Sequence, residues 1–333
     1  MRIALALVLL GVGGVTSHAQ TKKSPSRIGY DKPLSTRPDY KLVTNLSDEF
    51  NGTKLDGSKW LDHMSYWNGR GSEFLPSNVS VANGCLQLKT SIKDEGALKE
   101  LYTTLDTALT GSAREIDVNS WSPIDYGAAW DADKLSEPVL YAKLMKIGMQ
   151  AIGASAVMSH KPGAKPGYYF EARLKTSRIC MSSSFWLQGG GSEFDITESY
   201  GTHNLDMRTD WFRQIPYKIV TSTWWCDAPK ETPKFGSMEY LTPAKVGDEF
   251  FVLGFLWAEA EVKVFYNDRL VLSRDLRGVK QIDYKVFASL KHIIFDTEVL
   301  LGPWLGWPTK AQLTDPLSNT FYIDWIRVWE PAG

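Results

Sequence analysis

The stretch FWLQGGGSEFDITESYG, residues 185–201, holds the pattern that decides the fold of this chain. The glycines at 189–191 predict a turn between two strand-like runs. In the second run, Glu193, Asp195 and Glu198 occupy positions i, i+2 and i+5. Because alternate side chains of a strand point to opposite faces, Glu198 joins the other two acids only if one β-bulge follows Asp195. The pattern therefore predicts a bulged strand that presents three carboxylates on one concave face.

Short strand-like runs bounded by turn residues surround this stretch on both sides. The clearest alternating runs are Val79–Val81 and Cys85–Lys89 across an Asn-Gly turn, Tyr168–Lys175, Glu261–Tyr266, Leu270–Leu272 and Phe321–Trp329. Helical patterns are few, at Asp94–Leu109 and Leu135–Ile152, and both fall in one stretch near 91–152. This organisation predicts an all-β sandwich, barrel or jelly roll with an insertion near 91–152.

The composition excludes several classes of protein. The 333 residues include 37 Lys and Arg against 38 Asp and Glu, a net charge of −1. That balance gives no basic footprint for nucleic acid or an anionic membrane, so neither is expected as a partner. Aromatic residues, 13 Trp, 14 Tyr and 14 Phe, make up 12% of the chain. So many rings suggest stacking platforms for flat ligands, of which sugar rings are the obvious candidates.

The N-terminus has the pattern of a secretory signal peptide. A positive charge precedes a short apolar run from Ile3 to Val15, and a small residue follows at the expected cleavage point. Residues 1–19 are therefore expected to be removed, leaving a secreted or periplasmic protein without a membrane segment. Residues 20–40 are rich in Pro, Ser and Lys and predict an extended leader to one folded domain at 41–333.

The three acids also indicate a chemistry. Carboxylates on one face repel each other, and repulsion with partial burial raises at least one pKa. Retaining glycoside hydrolysis needs such a set, because an ionised carboxylate attacks the anomeric carbon while a protonated carboxyl about 5–5.5 Å away donates to the leaving oxygen. An exposed acidic strand or a calcium site is the alternative. The flanking Phe185, Trp186 and Tyr200 favour a sugar cleft, with Trp186 as a binding residue.

The motif Glu193–Glu198 resembles the ExDxxE signature of glycoside hydrolase family 16. Further segments resemble landmarks of that family in the same order: Ser47–Gly52 with Trp60, Ser155–Lys161, Gly167–Arg173, Gly254–Trp257 and Tyr322–Val328. The resemblance implies a concanavalin-like β-jelly roll, a sandwich of two antiparallel sheets with an open substrate cleft. It also implies that Glu193 is the nucleophile, Asp195 its assistant and Glu198 the general acid/base, with no cofactor required for catalysis.

A Trp and an Arg near residue 70 suggest the substrate. The segment Tyr66–Arg70 resembles the red-algal galactanase branch of the family, the agarases and porphyranases. In that branch a Trp, matched here by Trp67, lies beneath a galactose unit. In porphyranases a Trp-x-x-Arg element, matched here by Arg70, brings the Arg to a sulfate ester. A planar guanidinium suits an oxyanion. The alternative role of Arg70 is a surface salt bridge or a hydroxyl contact.

The combined expectation is an endo-acting retaining glycosidase that cleaves β-galactosidic linkages in red-algal galactans by double displacement. Porphyran is favoured and agarose comes next, with κ-carrageenase or laminarinase activity as alternatives within the family. A carbohydrate-binding jelly roll without catalysis is the alternative outside it. The intact acid triplet argues against a pure binder, which has no reason to keep three repelling carboxylates. A monomer acting on a polysaccharide is expected.

Four more residues are candidates for binding or structural roles. His203, just beyond the acidic strand, is a candidate for the leaving-group subsite, with a locally hydrogen-bonded loop histidine as the alternative. Asp324 resembles the aspartate that joins a structural calcium site in many relatives. Trp304 and Trp307 lie in a Gly/Pro-rich loop, where they either wall the cleft or pack in the core.

Overall fold

The computed structural model describes residues 34–205, 209–226, 236–278 and 283–332. The expected signal peptide, and the expected leader up to residue 33, lie outside the described residues. Within the described part, no helix is both long and apolar enough to cross a membrane.

Strands dominate the described part of the chain. They are β1 Tyr40–Leu42, β2 Trp60–Leu61, β3 Glu73–Phe74, β4 Val79–Ala82, β5 Cys85–Lys89, β6 Ser91–Ile92, β7 Ile152–Ser159, β8 Tyr169–Lys175, β9 Ser182–Gly189, β10 Ser192–Tyr200, β11 Lys218–Trp225, β12 Met238–Leu241, β13 Phe251–Trp257, β14 Glu261–Tyr266, β15 Arg269–Asp275, β16 His292–Thr297 and β17 Thr320–Pro331. The α-helices are α1 Glu95–Thr110, α2 Ala132–Leu135, α3 Pro138–Ala151, α4 Asp210–Gln214, α5 Gly302–Leu305 and α6 Lys310–Thr314.

The strands form two sheets. The outer sheet has the order β15-β14-β13-β8-β17-β5-β4, with β1 also paired to β17. The cleft sheet has the order β12-β11-β10-β9-β16-β7-β2, with β3 and β6 also paired to β7. Neighbouring strands are antiparallel except for β3, which runs parallel to β7. The predicted sandwich of antiparallel sheets is therefore confirmed.

Asparagine, glycine and aspartate residues make the tight turns of the outer sheet. Asn83 and Gly84 both have positive φ angles, 54° and 74°, between β4 and β5. Asn267 and Asp268, at 46° and 67°, do the same between β14 and β15. Two successive positive φ angles match the twist of the strands that they join. The two hairpins expected from the sequence are present.

The main core lies between the two sheets and holds β10 in place. Phe194 and Ile196 are fully buried on its inner face. The Phe194 ring centroid lies 5.1 Å from that of Trp257 and 5.6 Å from that of Phe255, both on the outer sheet. Because side chains alternate along a strand, anchoring Phe194 inward turns Glu193 and Asp195 outward, into the cleft.

The insertion forms a second core against the face of the cleft sheet that also carries the cleft, where it meets Trp186 and Ile294. Its helices α1 and α3 pack on each other. Tyr102 stacks on Trp121 with ring centroids 3.8 Å apart, and its hydroxyl donates to the carbonyl of Pro308 at 2.9 Å. The Trp130 indole donates to the carbonyl of Pro303 at 2.7 Å. The insertion therefore supports the loop that follows β16.

Candidate active site

A bulge in β10 gathers the three acids on one face. Asp195 pairs with Ser222 of β11, and Glu198 pairs with Val220. Three steps along β10 thus match two along β11, which is the one-residue excess that defines a bulge. The predicted bulge is present, and Glu193, Asp195 and Glu198 all line the same cavity.

The cavity is a cleft of about 690 Å³ on the face of the cleft sheet that points away from the main core. Its floor comes from β9, β10, β11 and β16, and its walls from α4 and from the loops around residues 66–70 and 300–301. The lining side chains are Tyr66, Trp67, Arg70, Ser184, Trp186, Gln188, Glu193, Asp195, Glu198, Tyr200, Trp211, Ile215, Lys218, Val220, Trp224, Ser237, Glu239, Asp296, Glu298, Leu300 and Leu301. Aromatic and carboxylate groups together suit a sugar, which has apolar ring faces and many hydroxyls.

Glu193 has the surroundings of an ionised carboxylate. Burial raises its pKa above the usual value, but hydrogen bonds from Asp195 and Gln188 and the charges of Lys291 and Arg70 work against that rise. The Gln188 amide donates to its Oε2 at 2.7 Å. Donors and cations around one carboxylate favour its charged form, which is the form that a nucleophile needs.

Asp195 is buried between the other two acids. Burial, and then the charges of Glu198 and Glu193, hold its pKa well above the usual range, although the Trp224 indole favours the anion. That indole donates to Oδ2 at 2.7 Å. A protonated Asp195 donates its hydrogen bond to Glu193. Such a bond holds the Glu193 carboxylate in one orientation.

Glu198 has the surroundings of a protonated acid. Burial, and after it the negative charge of Glu193, raise its pKa to about 7 against the opposing charge of Arg70. A carboxyl that titrates near neutrality holds a proton in mildly acidic solution and releases it to a leaving group at little cost. The surroundings of Glu193 favour its ionised form and those of Glu198 its protonated form, and these are the forms that a nucleophile and a general acid require.

Two further acids, Asp296 and Glu298, complete the cleft floor and were not identified from the sequence. The Trp186 indole donates to Asp296 Oδ2 at 3.1 Å, and burial holds the Asp296 pKa well above its usual range. The Trp67 indole donates to Glu298 Oε1 at 2.6 Å, and burial raises the Glu298 pKa to about 7. Asp296 and Glu298 follow an apolar run at positions i and i+2. This spacing, which Glu193 and Asp195 share, was the available signal in the sequence.

Trp67 and Arg70 stand together at one wall. The Arg70 guanidinium lies 5.6 Å from the centre of the Trp67 ring, within cation–π range. Trp67 is 39% exposed. Within the described ranges Arg70 has no ion-pair partner, and its charge acts on Glu193, Glu198 and Glu298 from a distance. The salt-bridge alternative for Arg70 therefore has no support, and its guanidinium faces the cleft.

The structure places the other candidates elsewhere. His203 does not line the cleft; its Nδ1 donates to the carbonyl of Leu205 at 2.9 Å, which is the arrangement of a loop histidine. Trp307 is fully buried in the second core, and Trp304 is 38% exposed outside the cleft lining. Neither Trp walls the cleft, which is bounded there by Leu300 and Leu301.

Asp324 lies on the outer sheet, away from the cleft. Its Oδ2 accepts a hydrogen bond from Arg173 Nη1 at 2.7 Å in an ion pair. Calcium needs six to eight oxygen ligands, and a guanidinium beside the carboxylate repels the cation. Among the residues that the structure describes, no three His, Cys, Asp or Glu side chains cluster to hold a metal. The surroundings of Asp324 do not favour calcium, and the calcium prediction stays untested.

Comparison with known proteins agrees with this geometry. Beta-porphyranase D of Zobellia galactanivorans is 27% identical over 325 residues, which cover 93% of this chain and 64% of that protein. This chain thus spans less than two thirds of that relative's length. The crystal structure of porphyranase B from the same organism has a TM-score of 0.61 at 22% identity, covering 88% of this chain and 94% of that one.

An agarase shares the same fold. Beta-agarase A of Zobellia galactanivorans matches with a TM-score of 0.61 at 17% identity, over 92% of this chain and 99% of that one. The sequence model of one family, beta-porphyranase A–D, glycoside hydrolase family 16 domain, matches residues 40–127 and 119–331. Because those matches include most of the chain and the acidic strand, this chain belongs to glycoside hydrolase family 16, in the family of beta-porphyranase A–D domains.

Proposed function

We propose that this protein is an endo-acting retaining glycoside hydrolase that cleaves β-galactosidic linkages in red-algal galactans, with porphyran as the favoured substrate. The observation that carries the proposal is the bulge of β10, which turns Glu193, Asp195 and Glu198 into one cleft. The names of the relatives, beta-porphyranases first, support the same activity.

The chemistry follows from the two glutamates. Ionised Glu193 attacks the anomeric carbon, the glycosidic C–O bond breaks, and Glu198 gives its proton to the leaving oxygen. A covalent glycosyl-enzyme remains on Glu193. Glu198, now ionised, takes a proton from water, and the resulting hydroxide displaces Glu193 from the anomeric carbon. Two inversions at that carbon give net retention, and Asp195 holds the Glu193 carboxylate in place throughout.

Arg70 supports a sulfated substrate. It lines a cleft that contains six carboxyl groups, and its guanidinium has no ion-pair partner among the described residues. A cleft that binds only neutral sugar has little use for such a cation, whereas a sulfate ester provides an anion with the geometry that guanidinium prefers. Trp67 beside it provides the stacking face for the sugar ring.

An oligosaccharide-release assay tests the proposal. Purified protein is incubated with porphyran, agarose, κ-carrageenan and laminarin, with Glu193→Gln as the blank. Release from porphyran alone is the expected result. Release from agarose or laminarin instead would keep the mechanism and refute the sulfate argument. Binding without release from any of them would favour a carbohydrate-binding protein.

Agarase activity is the second candidate, and one observation favours it. Glu298 approaches the same wall as Arg70, and its charged form would offset part of the guanidinium charge. A neutral galactan would then meet a nearly neutral wall. The porphyran and agarose arms of the assay separate the two substrates directly.

Two properties of the whole protein are also proposed from the sequence. We infer that residues 1–19 direct export, as the pattern of a charged residue and an apolar run indicates. N-terminal sequencing of the protein recovered from the culture medium or periplasm checks this, and an uncleaved Met1 would refute it. A monomeric state is proposed as well, and size-exclusion chromatography with light scattering tests it.

A further inference from the structure

Lys291 is a buried cation that the mechanism above does not use. The whole residue has 0% exposure, beneath the cleft sheet at the start of β16. Its Nζ donates to the carbonyl of Gly189 at 2.9 Å, to the hydroxyl of Ser192 at 2.5 Å and to the carbonyl of Ser192 at 3.2 Å. The Ser289 hydroxyl lies at 3.4 Å. All of these oxygen atoms are neutral, so no carboxylate of the described residues contacts the buried ammonium.

The contacts of Lys291 fix the turn that leads into the nucleophile. Gly189 ends β9 and Ser192 begins β10, so one ammonium group joins both sides of the hairpin. The backbone of Gly189 also packs so closely on Leu290 that a Cβ there would overlap the Leu290 carbonyl oxygen. The residue after Ser192 is Glu193. Any shift of this turn therefore moves the Glu193 side chain within the cleft.

The charge of Lys291 also reaches Glu193. Nζ contacts the Ser192 carbonyl, which belongs to the peptide bond preceding Glu193, so covalent geometry keeps the two charges within about 10 Å. Phe194 and Trp257 shield this path from water, since Nζ lies 5.6 Å and 5.5 Å from their ring centres. A charge beneath an apolar layer is screened less than one in solvent.

Other polar and charged groups surround Glu193 and Lys291. Those that face Glu193 are Asp195 and Glu198 on its own strand, Gln188 on β9, Arg70 and Tyr66 on the cleft wall and Cys226 after β11. Cys226 and Glu193 are the groups whose negative forms support the charge of Lys291. Burial lowers the Lys291 pKa to about 8, so the ammonium form persists over the acidic and neutral range.

We propose that Lys291 is a positioning residue for the nucleophile: its buried ammonium fixes the turn before Glu193 and stabilises the ionised Glu193 carboxylate from beneath the sheet. This inference rests on the proposed function, since it takes Glu193 as the nucleophile. It assigns Lys291 an action through Glu193 and Ser192 and no contact with substrate.

The pH dependence of kcat/KM tests the proposal. Lys291→Met removes the charge at similar length, and Lys291→Gln removes the charge while keeping an N–H donor. Without the cation, Glu193 ionises at higher pH, so the acidic limb should move upward by about half to one pH unit in both variants. Ser192→Ala is the matched control: it removes one acceptor and keeps the charge, so the plateau falls but the limb stays. Circular dichroism verifies folding.

The outcomes separate this inference from the proposed function. A folded Lys291→Met or Lys291→Gln protein whose acidic limb equals that of the wild type would overturn the role of Lys291. If the wild-type protein hydrolyses no galactan, the proposed function fails, and Lys291 is then tested by ¹³C NMR titration of the Glu193 carboxyl. That titration needs no substrate, and the same upward shift in Lys291→Met is expected. An unmoved titration would overturn the inference there too.

Discussion

Glu193 and Glu198 lie on one strand and in one cleft, yet their neighbours favour opposite protonation states. Gln188 and two cations favour the anion of Glu193. The main influences on Glu198 are burial and the negative charge of Glu193, which both favour its neutral form. The division of labour in a retaining mechanism therefore comes from these surroundings, because the two side chains are chemically identical.

The alkaline limit of activity should report Glu198. Its pKa of about 7 means that the proposed general acid loses its proton as the pH rises through neutrality. kcat/KM on porphyran should therefore fall about tenfold per pH unit above pH 7 and level off below it. Glu198→Gln should lose about 10²- to 10⁴-fold at the optimum, since an amide donates no proton. A wild-type profile that stays flat to pH 9 would contradict the assignment.

Arg70 should affect sulfated substrate selectively. A charge-assisted hydrogen bond contributes about 1.5–3 kcal/mol, so Arg70→Ala should lower kcat/KM on porphyran by roughly 10- to 100-fold. Agarose, which lacks the sulfate, should lose at most about threefold. Initial rates on both polymers give the comparison, and Arg70→Lys, which keeps the charge without the planar fork, should fall between. Equal losses on both substrates would remove the sulfate role.

At the scale of elements, local sequence patterns predicted strands and turns, but they did not predict which strands are neighbours in the sheet. The β10 bulge, the two hairpins and the inward side of Phe194 follow from alternation and turn chemistry within a few residues. Asp296 and Lys291 join the site because β16 is two strands away from β10 in the sheet, an order that no local pattern contains. His203 is close to Glu198 in sequence but does not line the cleft, so nearness along the chain is a weak guide to the site.

The insertion also supports the wall that carries Arg70. Gly148 of α3 lies against Gly71, so closely that a Cβ at 148 would overlap the Gly71 carbonyl oxygen. Gly71 itself has a φ of 65° and packs on Val299 beside the cleft. A glycine inside a helix costs about 1 kcal/mol relative to alanine, so this contact explains its presence in α3.

Gly148→Ala should therefore displace the Arg70 loop. KM for porphyran should rise several-fold with kcat less affected, because the loop is proposed to bind substrate and does not carry the acids. Steady-state kinetics on porphyran measure this. Gly96→Ala in α1 is the control, since a Cβ there approaches only the Asp94 side chain, at 3.2 Å. If both variants behave like the wild type, the insertion does not position this wall.

For the whole molecule, the cleft is a cost to stability. Burial raises the pKa of Asp195, Glu198, Asp296 and Glu298 above the values of an unfolded chain. The folded protein therefore binds more protons than the unfolded chain between about pH 4.5 and the raised pKa values. Folding stability should fall as the pH rises through that window, and the extended core between the sheets must offset the loss.

Removing one of these acids should stabilise the protein in the pH range where it is charged. A folded-state pKa of about 7 against a model value of 4.5 for Glu198 corresponds to ~3 kcal/mol of destabilisation at pH 8. Glu198→Gln should thus raise the Tm by about 5 °C at pH 8 and by almost nothing at pH 4.5, where both states are protonated. Calorimetry at the two pH values measures the difference, with Glu100→Gln on the exposed face of α1 as the control. The inactive variant is then more stable than the wild type at pH 8, as expected if the carboxylates are kept for the reaction. A Tm below that of the wild type at pH 8 would show instead that Glu198 stabilises the fold.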